Sequence, residues 1–295
     1  MDERYDVIVI GGGAAGLSGA LTLARARRRV LVVDAGQPRN APAAGVHNYL
    51  GRENTPPGDL LEIGRGEAGR YGAEFVAGTV TSARRDGDDG FRVTLADGSA
   101  RLARRLLVTS GATDELPDIP GLAEGFGHWV LHCPYCHGWE VRDRPVGVIA
   151  TGPLAAHQTL LWTQWTGDLV LFTNECEVPD VPASVAVVGG RVSKVDESGV
   201  HLADGRHVER EALVVATKVE ARAGFLAELG LGTAGVEMQG EVVATHVPAD
   251  PMGRTEVPGV WVAGNVTDPM GQVITAAAAG MRAGAAINMD LLATP

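Results

Sequence analysis

At 295 residues, 45% apolar and 21% charged, the chain is long enough for two domains and has the balance of a globular protein with a full core. A net charge of −11 argues against a nucleic-acid backbone or an anionic membrane as partner. No positive region precedes the first apolar run (7–10), and the alanine-rich stretch near Ala276 is broken by glycines and Arg282, so neither a secretory signal nor a membrane span is expected and the chain reads as cytoplasmic.

Tyr5-Asp6-Val7-Ile8-Val9-Ile10 is a β-branched run of the kind a buried parallel strand requires. It enters Gly11-Gly12-Gly13-Ala14-Ala15-Gly16, and residues 17–28 then place Leu17, Ala20, Leu21 and Ala24 on one helical face. A second strand over 29–34 ends in Asp34, completing a β-α-β unit with Gly-x-Gly-x-x-Gly at its first turn. Gly11 suits the tight turn, Gly13 lets a pyrophosphate approach the backbone, Gly16 lets helix and strand pack closely, and Asp34 can accept hydrogen bonds from a ribose. The free N–H groups at the helix start favour phosphate.

Residues 38–57 read as a loop, 59–71 as a helix, and 74–76, 78–81, 91–95 and 106–109 as strands, with Asp97-Gly98 as a hairpin turn. The 117–121 segment is expected to be a linker. A second unit of the same design follows: a strand over 145–150, a turn at Gly152-Pro153, a helix over 154–165 and strands over 168–172, 185–188 and 213–216. Residues 230–247 read as a second linker, 259–265 as a strand and 271–292 as a closing helix.

Between the units lies Cys133-Pro134-Tyr135-Cys136-His137-Gly138-Trp139-Glu140, which holds two of the three cysteines. In a reducing compartment this spacing signals thiol–disulfide exchange or a metal site. A zinc site would need His132 and His137 as further ligands, and neighbouring residues fan poorly around one tetrahedron. Cys176 reads as a plain small residue.

In order, Gly11-x-Gly13-x-x-Gly16, Thr109-Ser110-Gly111-Ala112, Cys133-Pro134-Tyr135-Cys136 and Thr255-x-x-Pro258-Gly259-Val260-x-Val262-Ala263-Gly264-Asn265 resemble the low-molecular-weight thioredoxin reductase family over nearly the whole chain. The resemblance implies an α/β fold of two Rossmann-like three-layer domains. An FAD-binding domain (1–118 and 246–295) would be interrupted by a smaller central domain (119–245) of degenerate nicotinamide type that carries the cysteines. It implies FAD held by Gly11, Gly13, Ala14, Ala15, Gly16 and Asp34. Further contacts would come from Ala35, Gln37, Arg39, Asn40, Asn48, Val80, Ser110, Gly111, Gly264, Asn265, Gln272 and Val273, with His47 a weaker one. Asn265 stands where the family has an aspartate. The resemblance also implies a homodimer.

Two departures bear on function. The central turn reads Ala150-Thr151-Gly152-Pro153-Leu154-Ala155, so a glycine is missing and a proline removes an N–H. After the next strand come Glu175 and Glu177, where NADPH-dependent relatives carry a basic cluster, so NADPH is expected to bind poorly. Secondly, Cys136 is followed by His137 instead of aspartate. Cys-x-x-Cys-His-Gly-aromatic-Glu is similar to the gliotoxin- and holomycin-type dithiol oxidases, flavoenzymes that close a disulfide in a small molecule and pass electrons to oxygen. On that resemblance Cys133, expected to be the more exposed thiol, meets a small dithiol substrate and Cys136 faces the flavin. His137 moves protons and Glu140 orients His137. Tyr135, Trp129 and Trp139 are candidates for an apolar pocket, and His132 for a second acid/base group. The alternatives are a thioredoxin reductase-type protein-disulfide reductase fed by NADPH or a donor such as ferredoxin, and a non-enzymatic flavoprotein redox sensor. Neither nucleic acid, membrane nor metal is expected as a partner.

Overall fold

The computed structural model describes residues 4–87, 90–177 and 180–293. The first part holds β1 (Arg4–Ile10), α1 (Ala14–Arg25), β2 (Val30–Asp34), α2 (Pro57–Gly69), β3 (Glu74–Ala77), β4 (Val80–Arg85), β5 (Phe91–Leu95) and β6 (Ala100–Val108). Next come β7 (Ala112–Glu115), α3 (Leu122–Gly125), β8 (Val130–Leu131), α4 (Pro134–His137), β9 (Val146–Ile149), α5 (Ala155–Trp162), β10 (Leu169–Phe172) and β11 (Ala186–Val188). The chain continues through β12 (Val192–Asp196), β13 (Gly199–Leu202), β14 (His207–Glu209), β15 (Ala212–Val215) and β16 (Lys218–Ala221). After a 3-10 helix (Gly224–Leu229) it ends with β17 (Ala234–Met238), β18 (Glu241–His246), β19 (Val260–Val262) and α6 (Val273–Ala293).

Strands β3-β2-β1-β6-β5-β4 form the larger sheet, and β19 returns from the far end of the chain to pair in parallel with β6. Alternate residues of β1 and β2 are buried on opposite faces. Ile8, Ile10 and Leu31 enter one core, while Val7, Val9, Val30 and Val32 enter the other beneath α1 and α6. This two-sided burial explains why both strands read as unbroken apolar runs. Helices α1 and α6 meet along a seam of glycines, where a Cβ on Gly280 would overlap the Ala15 carbonyl and one on Gly284 would press on Gly19. The close approach brings the starts of both helices to one cavity.

The second sheet, β11-β10-β9-β15-β8, is parallel throughout. Helix α5 packs on one face. The antiparallel β12-β13-β14 sheet covers the other, with Val192, Val195, Val200 and Leu202 against Ile149, Val170 and Phe172. Two Rossmann-like α/β layers are thus present, as expected.

Two expectations change. Residues 230–247 are not a linker: β17 and β18 form a hairpin turning at Gln239-Gly240, both at positive φ, and join β16 and β7 in a four-stranded sheet. This hairpin is half exposed, so its sequence lacks a strand's apolar alternation. Helix α1 begins at Ala14, inside the glycine motif, and ends before Arg27, which adopts positive φ. Among the described residues no helix is long and apolar enough to cross a membrane.

Candidate active site

A cavity of about 900 Å³ runs from the glycine turn of β1–α1 to the cysteine motif. Gly11 sits at φ +110, where a Cβ would strike the Thr109 carbonyl, and one on Gly16 would strike the Gly11 carbonyl. These two glycines shape the turn and its packing, and Gly16 does not line the cavity. Gly13 differs: a Cβ there would meet no atom within 4 Å, so the backbone faces open cavity. It is the N-cap of α1 and supplies no side-chain cap, which leaves first-turn N–H groups without a side-chain acceptor. Ala14, Ala15, Asp34 and Ala35 line the same end. Asp34 accepts a hydrogen bond from Arg65 Nη2 at 2.9 Å, a partner the sequence did not signal. This open cradle with free amides suits the diphosphate of an FAD molecule, and Asp34 suits its ribose.

Gln37, Asn40, Val80, Gly111, Gly264, Gln272 and Val273 also line the cavity, but three other predicted contacts already have partners in the protein. Arg39 forks onto Asp114 with Nε–Oδ2 of 2.6 Å and Nη2–Oδ1 of 2.7 Å, and donates to the Pro269 carbonyl at 2.9 Å. Burial raises the Asp114 carboxyl, but the Arg39 hydrogen bonds and charge outweigh it and hold the group below its ordinary range. Ser110 Oγ donates to the Arg222 carbonyl at 2.6 Å. Asn265 Nδ2 donates to the carbonyls of Asp268 and Gly271 at 2.9 and 2.8 Å. A carboxylate could not make these bonds, so the amide that replaces the family's aspartate ties down the loop before α6.

Asn48 lies outside the cavity lining. It adopts φ +59 and donates from Nδ2 to the Tyr135 carbonyl at 2.9 Å, acting as a strut for the cysteine loop. Next to it, His47 Nδ1 is 2.6 Å from Glu53 Oε1 and Nε2 is 3.6 Å from Glu140 Oε1. Glu140, expected to orient His137, is instead in contact with His47, does not line the cavity, and reaches His137 only through its charge.

Cys133 is the N-cap of the single-turn helix α4. Gly138 closes that turn by donating to the Pro134 carbonyl at 2.7 Å, and a Cβ there would collide with that carbonyl and the Trp165 ring. Both cysteines are half-buried, so exposure does not distinguish them as expected. Protonation does. Cys136 Sγ lies 2.8 Å from Cys133 Sγ. The Cys136 thiol, the backbone N–H groups of Cys136 and Tyr135 and the Gln272 side chain lower Cys133 from 9.0 to about 7, against the opposing effect of burial. Cys136 moves the other way, raised by its bond to that thiolate and by burial. In the reduced pair the thiolate therefore falls on Cys133.

His137 lines the cavity, and both its ring nitrogens are buried without a hydrogen-bond partner. Burial lowers its pKa below 6.5, against the attraction of Glu140, so the ring is neutral near pH 7. His132 is also in the lining, stacked on Phe126 with centroids 5.7 Å apart, and burial lowers it to about 4. Of the three candidate aromatics only Tyr135 reaches the cavity. Trp129 packs in the core under the second sheet, and Trp139 is exposed beneath the Arg142 guanidinium, 4.1 Å away. Sequence reasoning missed Leu154 just before α5, His157 and Leu161 within it, and Met238 and Val243 of the hairpin, which add mostly apolar side chains to the lining. Among the described residues neither histidine gathers with both thiols into a cluster tight enough for a metal ion.

At the carboxyl ends of β9 and β10, where a second dinucleotide would bind, the crevice is bridged by protein. Asn174 Nδ2 donates to the Ala150 carbonyl at 3.3 Å and its Oδ1 accepts from Val192 N at 2.9 Å, while Cys176 Sγ lies 3.6 Å from the same Ala150 oxygen. Glu175 and Glu177 are exposed on that loop.

The sequence pattern of the family described as pyridine nucleotide-disulphide oxidoreductase matches residues 5–191. A protein named thioredoxin reductase tcpT, from Claviceps purpurea, is 31% identical over 98% of this chain and 94% of its own length. Among solved structures, HlmI is 42% identical with a TM-score of 0.91, covering 99% of this chain and 94% of that one. An oxidoreductase from Agrobacterium tumefaciens is 36% identical with a TM-score of 0.92, covering 99% and 100%. The expected likeness to thioredoxin reductases is borne out: the chain belongs to the pyridine nucleotide-disulphide oxidoreductase family, and FAD is its expected cofactor.

Proposed function

We propose that the protein is a dithiol oxidase: it closes a disulfide in a small-molecule dithiol and passes the electron pair through FAD to oxygen. The observation that carries this reading is the bridged crevice of the second unit. Asn174 and Cys176 occupy the strand ends where a nicotinamide nucleotide would lie, and Glu175 and Glu177 would face its 2′-phosphate. Two carboxylates near a phosphate repel it by about 1 kcal/mol or more per close pair, so reduction by NADPH is disfavoured. On this reading residues 1–118 and 246–295 serve the flavin and 119–245 serve the thiols.

In the resting state Cys133 and Cys136 form a disulfide. Neutral His137 takes the proton of one substrate thiol, and the resulting thiolate attacks Cys133 Sγ, releasing Cys136 as a thiolate that is then protonated. His137 has both ring nitrogens buried and without a hydrogen-bond partner, which suits it to that proton. The second substrate thiol attacks the substrate sulfur of the mixed disulfide, frees the product disulfide and leaves Cys133 as a thiolate. Its pKa of about 7 makes Cys133 a good leaving group at neutral pH. Bound FAD would supply the two-electron oxidation that restores the Cys133–Cys136 disulfide, with oxygen reduced to peroxide as the final acceptor. The apolar side chains of Leu154, Leu161, Met238 and Val243 in the lining suit a compact apolar substrate.

The test is anaerobic. The flavoprotein is mixed with NADPH and, separately, with a small dithiol while flavin absorbance is followed. Bleaching by the dithiol, recovery with oxygen and one peroxide per turnover are expected. Rapid bleaching by NADPH would overturn the reading in favour of a reductase.

A further inference from the structure

The outer face of the β12-β13-β14 sheet carries a cluster that the thiol chemistry does not use. Val200 and Leu202 of β13 point into the core, so His201 points outward. His201 and His207 are directly opposite each other across β13 and β14, and their rings stack at 4.3 Å with 23° between planes. Asp196 reaches the same spot from the end of β12, where its cross-strand neighbour Gly199 has no side chain to obstruct it.

The two imidazoles converge on one point. His201 Nε2 lies 2.7 Å from Asp196 Oδ2, and His207 Nε2 lies 3.1 Å from Ser198 Oγ, which itself donates to Asp196 Oδ1. One ligand atom from each of Asp196, His201 and His207 falls within 4.8 Å of the others. A tetrahedral zinc ion with bonds of about 2.0–2.2 Å needs its ligands about 3.3 Å apart, a change small side-chain rotations supply on an open sheet face.

We propose that Asp196, His201 and His207 form a binding site for a divalent late transition metal, with zinc as the type and water in the fourth position. Two imidazole nitrogens and one carboxylate select zinc, nickel or copper over magnesium or calcium, which require mostly oxygen ligands. The ion replaces the hydrogen bond between Asp196 and His201 and pins three strands together. Lys194 is the built-in competitor: it is opposite His201 in β12 and its Nζ donates to Asp196 Oδ2 at 3.3 Å. Its ammonium opposes a second cation at the same carboxylate, so removing it tightens the site.

The test is calorimetric titration of zinc chloride into Cys133→Ser/Cys136→Ser holoprotein, a background without the cysteine pair as rival ligands. One zinc per chain is expected. His201→Gln and His207→Gln should each weaken binding by about tenfold or more, and Lys194→Met should tighten it severalfold. Circular dichroism and flavin absorbance verify that each variant is folded. Absence of binding at millimolar zinc, or an affinity unchanged by both histidine variants, overturns the proposal.

Discussion

Replacing Cys136 with alanine removes the largest of the influences that hold Cys133 at about 7, the hydrogen bond from the Cys136 thiol. The N–H groups of residues 135 and 136 and the Gln272 side chain remain, so the Cys133 thiol should move up by about one to two pH units toward its ordinary 9.0. Below both midpoints each unit cuts the thiolate population about tenfold. The more basic thiolate is intrinsically more reactive, with an exponent of about 0.4–0.5. The net loss is therefore about three- to fourfold per unit, or about 3-fold to 14-fold slower alkylation at pH 6. The assay is the pH dependence of iodoacetamide labelling of the reduced flavoprotein, with the modified cysteine located by mass spectrometry. In the unsubstituted protein Cys133 should label first, with a midpoint near 7. A midpoint that stays near 7 in Cys136→Ala, or preferential labelling of Cys136 in the parent, would refute the assignment of the thiolate to Cys133.

Two further predictions rest on buried groups. Arg39→Leu strands the Asp114 carboxylate, and urea unfolding at pH 7 should show a loss of about 3–5 kcal/mol. Asp114 is held below its ordinary 3.8, so the pair's contribution is present above that pH and lost as pH falls through the depressed value. The penalty of the variant should therefore shrink in strong acid, and an equal penalty at pH 7 and in strong acid would contradict the pairing. His137→Gln should slow dithiol oxidation by about 10²–10⁴-fold with little change in stability. Because burial lowers His137 from 6.5, the ring is neutral above its depressed value and the acid limb of the rate profile should lie below 6.5. A limb above that pH would assign the proton transfer elsewhere.

The β-α-β unit was legible because its signals are local: apolar strands, a glycine turn and a closing acid within thirty-odd residues, confirmed by β1, α1 and β2. The cysteine pair was legible for the same reason. The β17–β18 hairpin was not, since its half-exposed strands alternate weakly and only their pairing with β16 gives them a sheet. Partner assignments among the site residues were equally hidden. Whether Glu140 meets His137 or His47, 93 residues earlier, depends on how the 38–57 loop folds back over the cysteine motif.

The sequence by itself determined the family pattern, the positions of the glycine cradle and the thiol pair, and the loss of cations after β10, because each depends on residue type at short spacing. Only the tertiary structure decided which thiol ionises, since that depends on donors as distant in sequence as Gln272. It alone put Arg39, Ser110 and Asn265 to work on other parts of the protein, and bridged the second crevice with Asn174 and Cys176. The physical reason is common to all of these. Burial and hydrogen bonding act through space, and groups far apart in the chain set the charge and contacts of each other's side chains.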